Sequence, residues 1–469
     1  MTYDIGVIGL GVMGQNLALN IESRGYSVAG FDLDSEKARA SEKKWAGKSR
    51  MTTVPSLLHL VEALESPRKI LMMVPAGKPV DAVLEDLKRL LKPGDILLDG
   101  GNSFFQDTDR RGKQLEALGI RYIGSGVSGG EEGALLGPAL MPGGQEDAYR
   151  LVEPILTSIA AKVDDGPCCG YIGRGGAGHY VKMVHNGIEY GIMQLISEVY
   201  DFMKSGLGMN ASEMQGVFAA WNQGELNSYL LEITAAVLGK LDPETGKPVV
   251  DIILDKAGQK GTGKWASQNA LDLGVAIPTI NAALEARILS AFKDERVQAS
   301  KLLEGPAGGR AAAGEFLPAL KDAYQLAVVG CYAQGFALMR EASAEYGYNL
   351  DFKEIARIWK GGCIIRARML DSMRAAFAAQ PGLANLLMAE PFRSLANRLH
   401  PRLRQVVAKA VELGVPVLAL AASVGYLDSY RRERLPANLL QAQRDYFGAH
   451  KYERIDKPRG QQFHTEWLS

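Results

Sequence analysis

The chain has 469 residues, 47% hydrophobic and 23% charged, with 53 basic side chains balanced by 53 acidic ones. That length allows more than one core, and a formal net charge of zero excludes a nucleic acid or an anionic membrane held by overall charge. The 4 cysteines (Cys168, Cys169, Cys331 and Cys363) are too few for a disulfide scaffold and lack metal-ligand spacing, so we expect a reducing, cytoplasmic compartment and no metal.

The opening MTYDIGVIGLG has no basic leader or cleavage motif and reads as a strand, and no apolar run is long enough to span a bilayer. The first third alternates strand-like runs (YDIGVIGLG, YSVAGFD, KILMMVPAG, GDILLDGGNS and IRYIGSGVSGG) with segments of helical period such as NLALNIESRG and PVDAVLEDLKRLLKPG. This alternation predicts a parallel sheet wrapped by helices, a Rossmann-type α/β domain over residues 1–177. AAKVDDGPCCGYIGRGGAGH is expected to supply a last strand and a glycine-rich exit.

GLGVMG puts Gly9, Gly11 and Gly14 in the G-x-G-x-x-G pattern, after the first strand and at the head of an apolar helix. In that context the glycines permit a tight turn, approach of backbone to a pyrophosphate, and close helix–strand packing. Asp32, in GFDLDSEKA, lies about twenty residues on, where an acid hydrogen-bonds the adenosine ribose. Asp34 is placed to cap the next helix. DGGNS at 99–103 and GVSGGEEG at 126–133 close two strands at the carboxyl edge of the sheet, where ligands of open α/β sheets bind. There Gly129 and Gly130 can present N–H groups to an anion.

From about His179 the strand signals fade and long amphipathic stretches predict an all-helical domain over 178–433. In KMVHNGIEYG, Lys182, His185, Asn186 and Glu189 fall at i, i+3, i+4 and i+7, one stripe of a helix, offering a base, an acid and hydrogen-bonding groups to a cleft. EMQGVFAAWNQGELNSYLL resembles DFKEIARIWKGGCIIRARML, matching Trp221 and Gly224 to Trp359 and Gly362, which predicts an internal duplication of the helical domain. GQKGTGKW contributes Lys260 and Thr262, and Arg287 follows; together they can hold a phosphate. The tail, 434–469, carries Arg444, His450 and five aromatics (Tyr446, Phe447, Tyr452, Phe463 and Trp467), too many for a disordered end, and is expected to dock.

GLGVMGQNLALN, DGGNS, GVSGGEEGA, KMVHNGIEYG, GQKGTGKW and QAQRDYFGAH, in this order along the whole chain, resemble the decarboxylating 6-phosphogluconate dehydrogenase family of the pentose phosphate pathway. The resemblance implies that Lys182 is the general base at the C3 hydroxyl and Glu189 the acid that protonates the enediol. It implies substrate contacts from Asn102, Ser128, Gly129, Gly130, His185 and Asn186. Around the phosphate it implies Tyr190, Lys260, Thr262, Arg287, Arg444 and His450, the last two supplied across a homodimer by the partner's tail. Cofactor contacts are implied for Gly9, Leu10, Gly11, Val12, Met13 and Gly14, for Asp32, Leu33 and Asp34, and for Val74, Pro75, Ala76 and Asn102. The family's NADP-dependent members read Asn-Arg-Ser/Thr where this chain reads Asp32-Leu33-Asp34, so NAD is the expected cofactor, with NADP possible through Lys37 and Arg39. The chain also departs from the family at Ile192, where Asp is usual, and at Pro75, where many members have Lys. A β-hydroxyacid dehydrogenase that does not decarboxylate and a non-catalytic dinucleotide sensor are the alternatives; the phosphate cluster disfavours the first and the Lys182–Asn186–Glu189 set the second.

Overall fold

The computed structural model describes residues 2–258, 261–306 and 308–468. Seven strands and seven helices alternate first: β1 (Ile5–Ile8), α1 (Val12–Ser23), β2 (Val28–Phe31), α2 (Ser35–Trp45), β3 (Met51–Thr53), α3 (Leu57–Ala63), β4 (Lys69–Met72), α4 (Lys78–Leu87), β5 (Ile96–Asp99), α5 (Phe105–Glu116), β6 (Arg121–Ser128), α6 (Gly130–Leu136), β7 (Ala139–Gly144) and α7 (Glu146–Ile159). The sheet order is β3-β2-β1-β4-β5-β6-β7, parallel throughout except for the β6–β7 pair. Strand order reverses between β1 and β4, and their carboxyl ends open the crevice where α/β sheets bind ligands.

Period-two alternation gives each strand two buried faces. Ile5 and Val7 join Leu17, Ile21 and Val28 in one core, while Ile8 joins Ile70, Met72, Leu84 and Leu97 in the other. Two strands escaped the sequence reading: β3 has only three residues at the sheet edge, and β7 carries Pro142, Gly143 and Gly144, which read as a turn. The expected last strand is instead a short hairpin, β8 (Lys162–Val163) with β9 (Gly166–Pro167), followed by single bridges from Cys169 and Gly173 to β7.

The chain then enters α8 (Ala177–Asp201), followed by one π-helical turn, Phe202–Gly206. Further helices are α9 (Ala211–Asn222), α10 (Tyr229–Gly239), α11 (Val249–Ile252), α12 (Thr262–Asp272), α13 (Pro278–Ala291), α14 (Lys293–Leu302), α15 (Ala313–Glu345), α16 (Phe352–Ile358), α17 (Met369–Ala379), α18 (Phe392–Leu413), α19 (Leu418–Tyr430) and α20 (Ala437–Gly448). α8 lies against β6 and β7 and against α12, α13 and α15, so Lys182 and His185 of its polar stripe are buried while Asn186 and Glu189 are half-buried. The two tryptophan-bearing segments meet in antiparallel fashion: the Tyr229 N–H donates to Arg366 O and the Arg368 N–H to Asn227 O.

Two compact units divide after Ala422, within α19. The second holds α20 and the hairpin β10 (Tyr452–Glu453) with β11 (Gln462–Phe463). Among the described residues, no helix is long and apolar enough to cross a membrane, and no group of three or more His, Cys, Asp or Glu can hold a metal ion.

Candidate active site

The turn after β1 is shaped for a ligand. Gly9 has φ 91, and a Cβ on Gly14 would overlap Gly9 O, so α1 sits directly on the strand end. Nothing lies within 4 Å of where a Cβ on Gly11 would be, and α1 has no side-chain cap. Its first N–H groups face open space, the fit that a pyrophosphate requires. Leu10 is buried beneath the turn, Val12 is exposed and Met13 half-buried.

Both carboxylate oxygens of Asp32 already serve the backbone: Oδ2 accepts from Leu10 N at 2.7 Å and Oδ1 from Asp34 N at 2.8 Å. Asp32 therefore shapes the glycine turn itself, and each oxygen keeps a lone pair for a ribose hydroxyl. Asp34 accepts from Glu36 N at 2.9 Å as the N-cap of α2, and Leu33 is 93% exposed. Val74, Pro75 and Ala76 follow β4, beside the glycine turn: a Cβ on Gly9 would come within 2.5 Å of Met73 O. Asn102 is exposed on the next loop, after β5.

The α8 stripe starts where GVSGGEEG meets it. A Cβ on Gly126 would overlap Lys182 Cβ, so only glycine lets β6 approach the helix so closely. Lys182 is 6% exposed; its Nζ lies 3.4 Å from His185 Nδ1. His185 is fully buried, its Nε2 3.2 Å from Ser128 Oγ and its Nδ1 3.1 Å from Asn186 Oδ1. One turn on, Glu189 Oε2 is 3.8 Å from His185 Nδ1. Lys182, His185, Asn186, Glu189 and Ser128 are thus brought together.

Burial sets the charges here. It pushes the Lys182 amine down, against the opposing pull of Glu189 and the Cys363 thiol. His185 is pushed well down by burial and then by Lys182, and stays neutral. The Glu189 carboxyl is pushed up by burial, with Lys182 and Arg287 opposing. A lowered amine pKa and a raised carboxyl pKa move the two groups in the directions that a general base and a general acid require.

Toward the C-terminal end of the stripe the Arg287 guanidinium lies 3.6 Å over the Tyr190 ring. Gly263 packs on the same ring, bringing the first turn of α12, with the buried Thr262, beside it. Lys260 falls outside the described residues. Ile192 is buried among apolar groups. Arg444 and His450 belong to the C-terminal unit and are exposed on it.

Residues to which the sequence assigned no individual role support this array, some inside the motifs (Asp99, Ser103, Trp265) and some beside them. The Asp99 side chain accepts from Ser103 Oγ at 2.6 Å and Tyr122 OH at 3.0 Å, while its carbonyl accepts from His179 Nε2 at 3.1 Å. Thr108 Oγ1 lies 2.7 Å from His179 Nδ1. Phe104 packs on Trp265 at 5.1 Å, linking the Asn102 loop to α12. None has a local sequence signal beyond its place in or beside a motif.

Comparison with known proteins now has a geometry to meet. Residues 4–173 match the model of the NAD binding domain of 6-phosphogluconate dehydrogenase, and residues 178–467 that of the C-terminal domain of 6-phosphogluconate dehydrogenase. The decarboxylating 6-phosphogluconate dehydrogenase of Synechococcus elongatus is 57% identical over 99% of both chains. The NADP(+)-dependent, decarboxylating enzyme of Bacillus subtilis is 55% identical, again over 99% of each. The solved Plasmodium falciparum 6-phosphogluconate dehydrogenase, described in its apo form and in complexes with NADP+ and with 6-phosphogluconate, superposes with a TM-score of 0.95 at 41% identity, covering 99% of this chain and 100% of that one.

Proposed function

The chain belongs to the 6-phosphogluconate dehydrogenase family of decarboxylating enzymes, and on that premise we propose that it oxidises 6-phospho-D-gluconate at C3 and releases carbon dioxide and D-ribulose 5-phosphate, preferring NAD to NADP. The observation that carries this reading is the stripe of buried Lys182 and His185 with half-buried Glu189, a depressed amine and an elevated carboxyl seven residues apart.

When bound, the nicotinamide dinucleotide supplies the hydride acceptor. Neutral Lys182 takes the proton of the C3 hydroxyl as the hydride leaves C3. The resulting ammonium then stands beside the C3 carbonyl oxygen and stabilises the enolate that forms as the C1–C2 bond breaks and carbon dioxide departs, so the step needs no metal. Neutral His185, held between Ser128 and Asn186, orients the amine without adding a second charge. Glu189 delivers a proton to the carbon that carbon dioxide has left. Ser128, Gly129, Gly130, Asn186 and Asn102 bind the sugar acid, and Tyr190, Lys260, Thr262 and Arg287 its phosphate. A second copy of the chain supplies Arg444 and His450, making the dimer the active form.

The NAD preference is supported by Leu33, an uncharged exposed side chain between two carboxylates at the adenosine end. Carboxylates accept from a ribose diol and repel a phosphate dianion. Labelled carbon dioxide released from C1-labelled 6-phosphogluconate, with NAD and NADP compared, tests both parts. No label released overturns the decarboxylation, and equal or better use of NADP overturns the preference, which should reach ~10-fold in kcat/KM.

A further inference from the structure

Arg111, on α5, is fully buried in the sheet domain. Its Nε donates to Asp81 Oδ1 at 2.8 Å, its Nη2 to Gly77 O at 3.0 Å and its Nη1 to Ser103 Oγ at 3.4 Å; Asp99 Oδ2 lies 3.7 Å from Nη1. Gly77 ends the loop that carries Val74, Pro75 and Ala76, and Ser103 ends the loop that carries Asn102. Asp99, at the base of the second loop, holds His179 on α8, one turn before Lys182. We propose that Arg111 is a positioning residue for hydride transfer, locking the loops after β4 and β5 to each other and, through Asp99 and His179, to the helix that bears the base.

The proposal rests on the reading of the site given above. The nicotinamide ring and C3 of the substrate must meet at near-attack distance, and an error of about an ångström costs on the order of 10²-fold in rate. The two loops are separate chain segments at the ends of neighbouring strands, so strand pairing alone leaves their tips free to move apart. A guanidinium with donors in a rigid fork reaches both loops and the acid between them at once. An apolar side chain of similar volume often keeps the stability of such a buried ionic group, so the function of the charge lies in what it fixes.

The test compares the full-length enzyme with Arg111→Lys, Arg111→Met and Ser103→Ala. Measured are kcat, the deuterium isotope effect with substrate labelled at C3, KM for 6-phosphogluconate, and the affinity for ADP-ribose, which has the dinucleotide's adenosine end but no nicotinamide. We expect Arg111→Lys to lower kcat by about tenfold or more and to raise the isotope effect, while ADP-ribose affinity and substrate KM stay within roughly threefold. Unchanged kcat and isotope effect would overturn the proposal. So would a loss of ADP-ribose affinity in step with kcat, since Arg111 would then be supporting the whole domain. Ser103→Ala removes one arm of the lock without touching the charge. If the arginine variants do not fold, a raised isotope effect in Ser103→Ala supports the proposal and an unchanged one overturns it. Failure of the underlying reading shows separately, as no carbon dioxide from C1-labelled substrate with the unmodified enzyme.

Discussion

The ring of Trp359 stands edge-on to the imidazole of His185, with centroids 5.7 Å apart and planes at 77°. Trp359 closes α16, in the segment whose sequence resembles that around Trp221, and His185 lies on α8. The Trp359 Nε1 donates to Met141 Sδ at 3.4 Å, and Gly362, three residues on, accepts from Ala139 N at 2.7 Å. Trp359 and Gly362 thus brace both the stripe and strand β7. The counterpart of Trp359, Trp221, stacks on Tyr324 of α15. The offset that maps Trp221 onto Trp359 also maps Asn186 onto Tyr324 and Lys182 onto Leu320, so the corresponding positions of α15 carry no charge.

Trp359→Ala should therefore cost ~3–5 kcal/mol, the range for emptying a buried aromatic site, seen as an earlier denaturation midpoint. Trp359→Phe should fold and lower kcat/KM, because it keeps a ring against His185 but loses the Met141 contact. A Phe variant with unaltered kinetics would show that the brace has no bearing on the site.

Lys182→Met should leave dinucleotide binding intact and cut turnover by ~10²-fold or more. Because burial lowers the amine pKa, neutral base becomes available below the ordinary lysine range near ~10.4, and activity should rise with pH through the lowered value. Lys182→Arg keeps a cation that does not deprotonate and should be as inactive as Met. Glu189→Gln should still oxidise substrate but turn over slowly. Either assignment fails if the matching variant keeps wild-type steady-state rates.

The motif glycines, the stripe of α8 and the alternation of strands and helices were legible because each is local: a period, a turn or a spacing within a dozen residues. Asp34 as a cap was legible for the same reason. Strand β7 was not, since its proline and glycines deny the local strand signal and only pairing with β6 makes it one. Nor were Arg111 and His179. On an amphipathic helix an arginine reads as a surface charge, and its burial at Asp99 depends on the loops that follow β4 and β5. The double use of Asp32 was hidden likewise, because the Leu10 amide it holds lies 22 residues away.

His179 offers a pH test. Its Nε2 must donate to the Asp99 carbonyl, so Nδ1 accepts from Thr108 in the neutral ring, and burial pushes its pKa down. The unfolded chain, with a histidine near ~6.5, binds a proton that the native state refuses. Stability supplied by the neutral ring is thus complete above ~6.5 and declines as pH falls, by ~1.4 kcal/mol per pH unit until the native value is reached. Relative to His179→Asn, the wild type should lose ground from pH 7 to 5 in denaturant titrations. A constant gap across that range would mean that the ring titrates in the native state as it does in the unfolded chain.

In the C-terminal unit, Asp445 is buried and accepts from Lys451 N, His464 Nδ1 and Trp467 Nε1, each at 2.9 Å, and from Thr465 N at 3.1 Å. Burial pushes its carboxyl pKa up, yet these donors outweigh it and hold the group well below the ordinary value. The loop it ties down carries His450 between Ala449 and Lys451, both at positive φ. Asp445→Asn should raise KM for 6-phosphogluconate by ~10-fold with kcat little changed. Truncation before Arg444 should do so more steeply and loosen the dimer in sedimentation. A truncated chain with normal kinetics would remove the tail from the site.

The last expectation concerns the loop after β2. Asp32 holds the Leu10 and Asp34 amides, so its charge is part of the turn, whereas Leu33 touches solvent almost entirely. Changing specificity by Leu33→Arg alone should therefore fall short: the new guanidinium gains a 2′-phosphate to pair with, but Asp34 still repels it. Asp34 is also half engaged, capping α2 and lying 3.7 Å from Lys37. Asp34→Ser keeps a capping oxygen and removes the charge, so it should cost little stability. Asp32→Asn keeps one acceptor for Leu10 N but turns its other group into a donor facing the Asp34 amide, so some loss of stability should accompany it. The triple variant Asp32→Asn, Leu33→Arg, Asp34→Ser should move the ratio of kcat/KM for NADP over NAD upward by at least ~10-fold, about 1.4 kcal/mol, at a lowered melting temperature. Steady-state kinetics with both cofactors, run beside thermal denaturation, check the pair of effects. A triple variant that kept the wild-type cofactor ratio would put the discrimination elsewhere than in this loop.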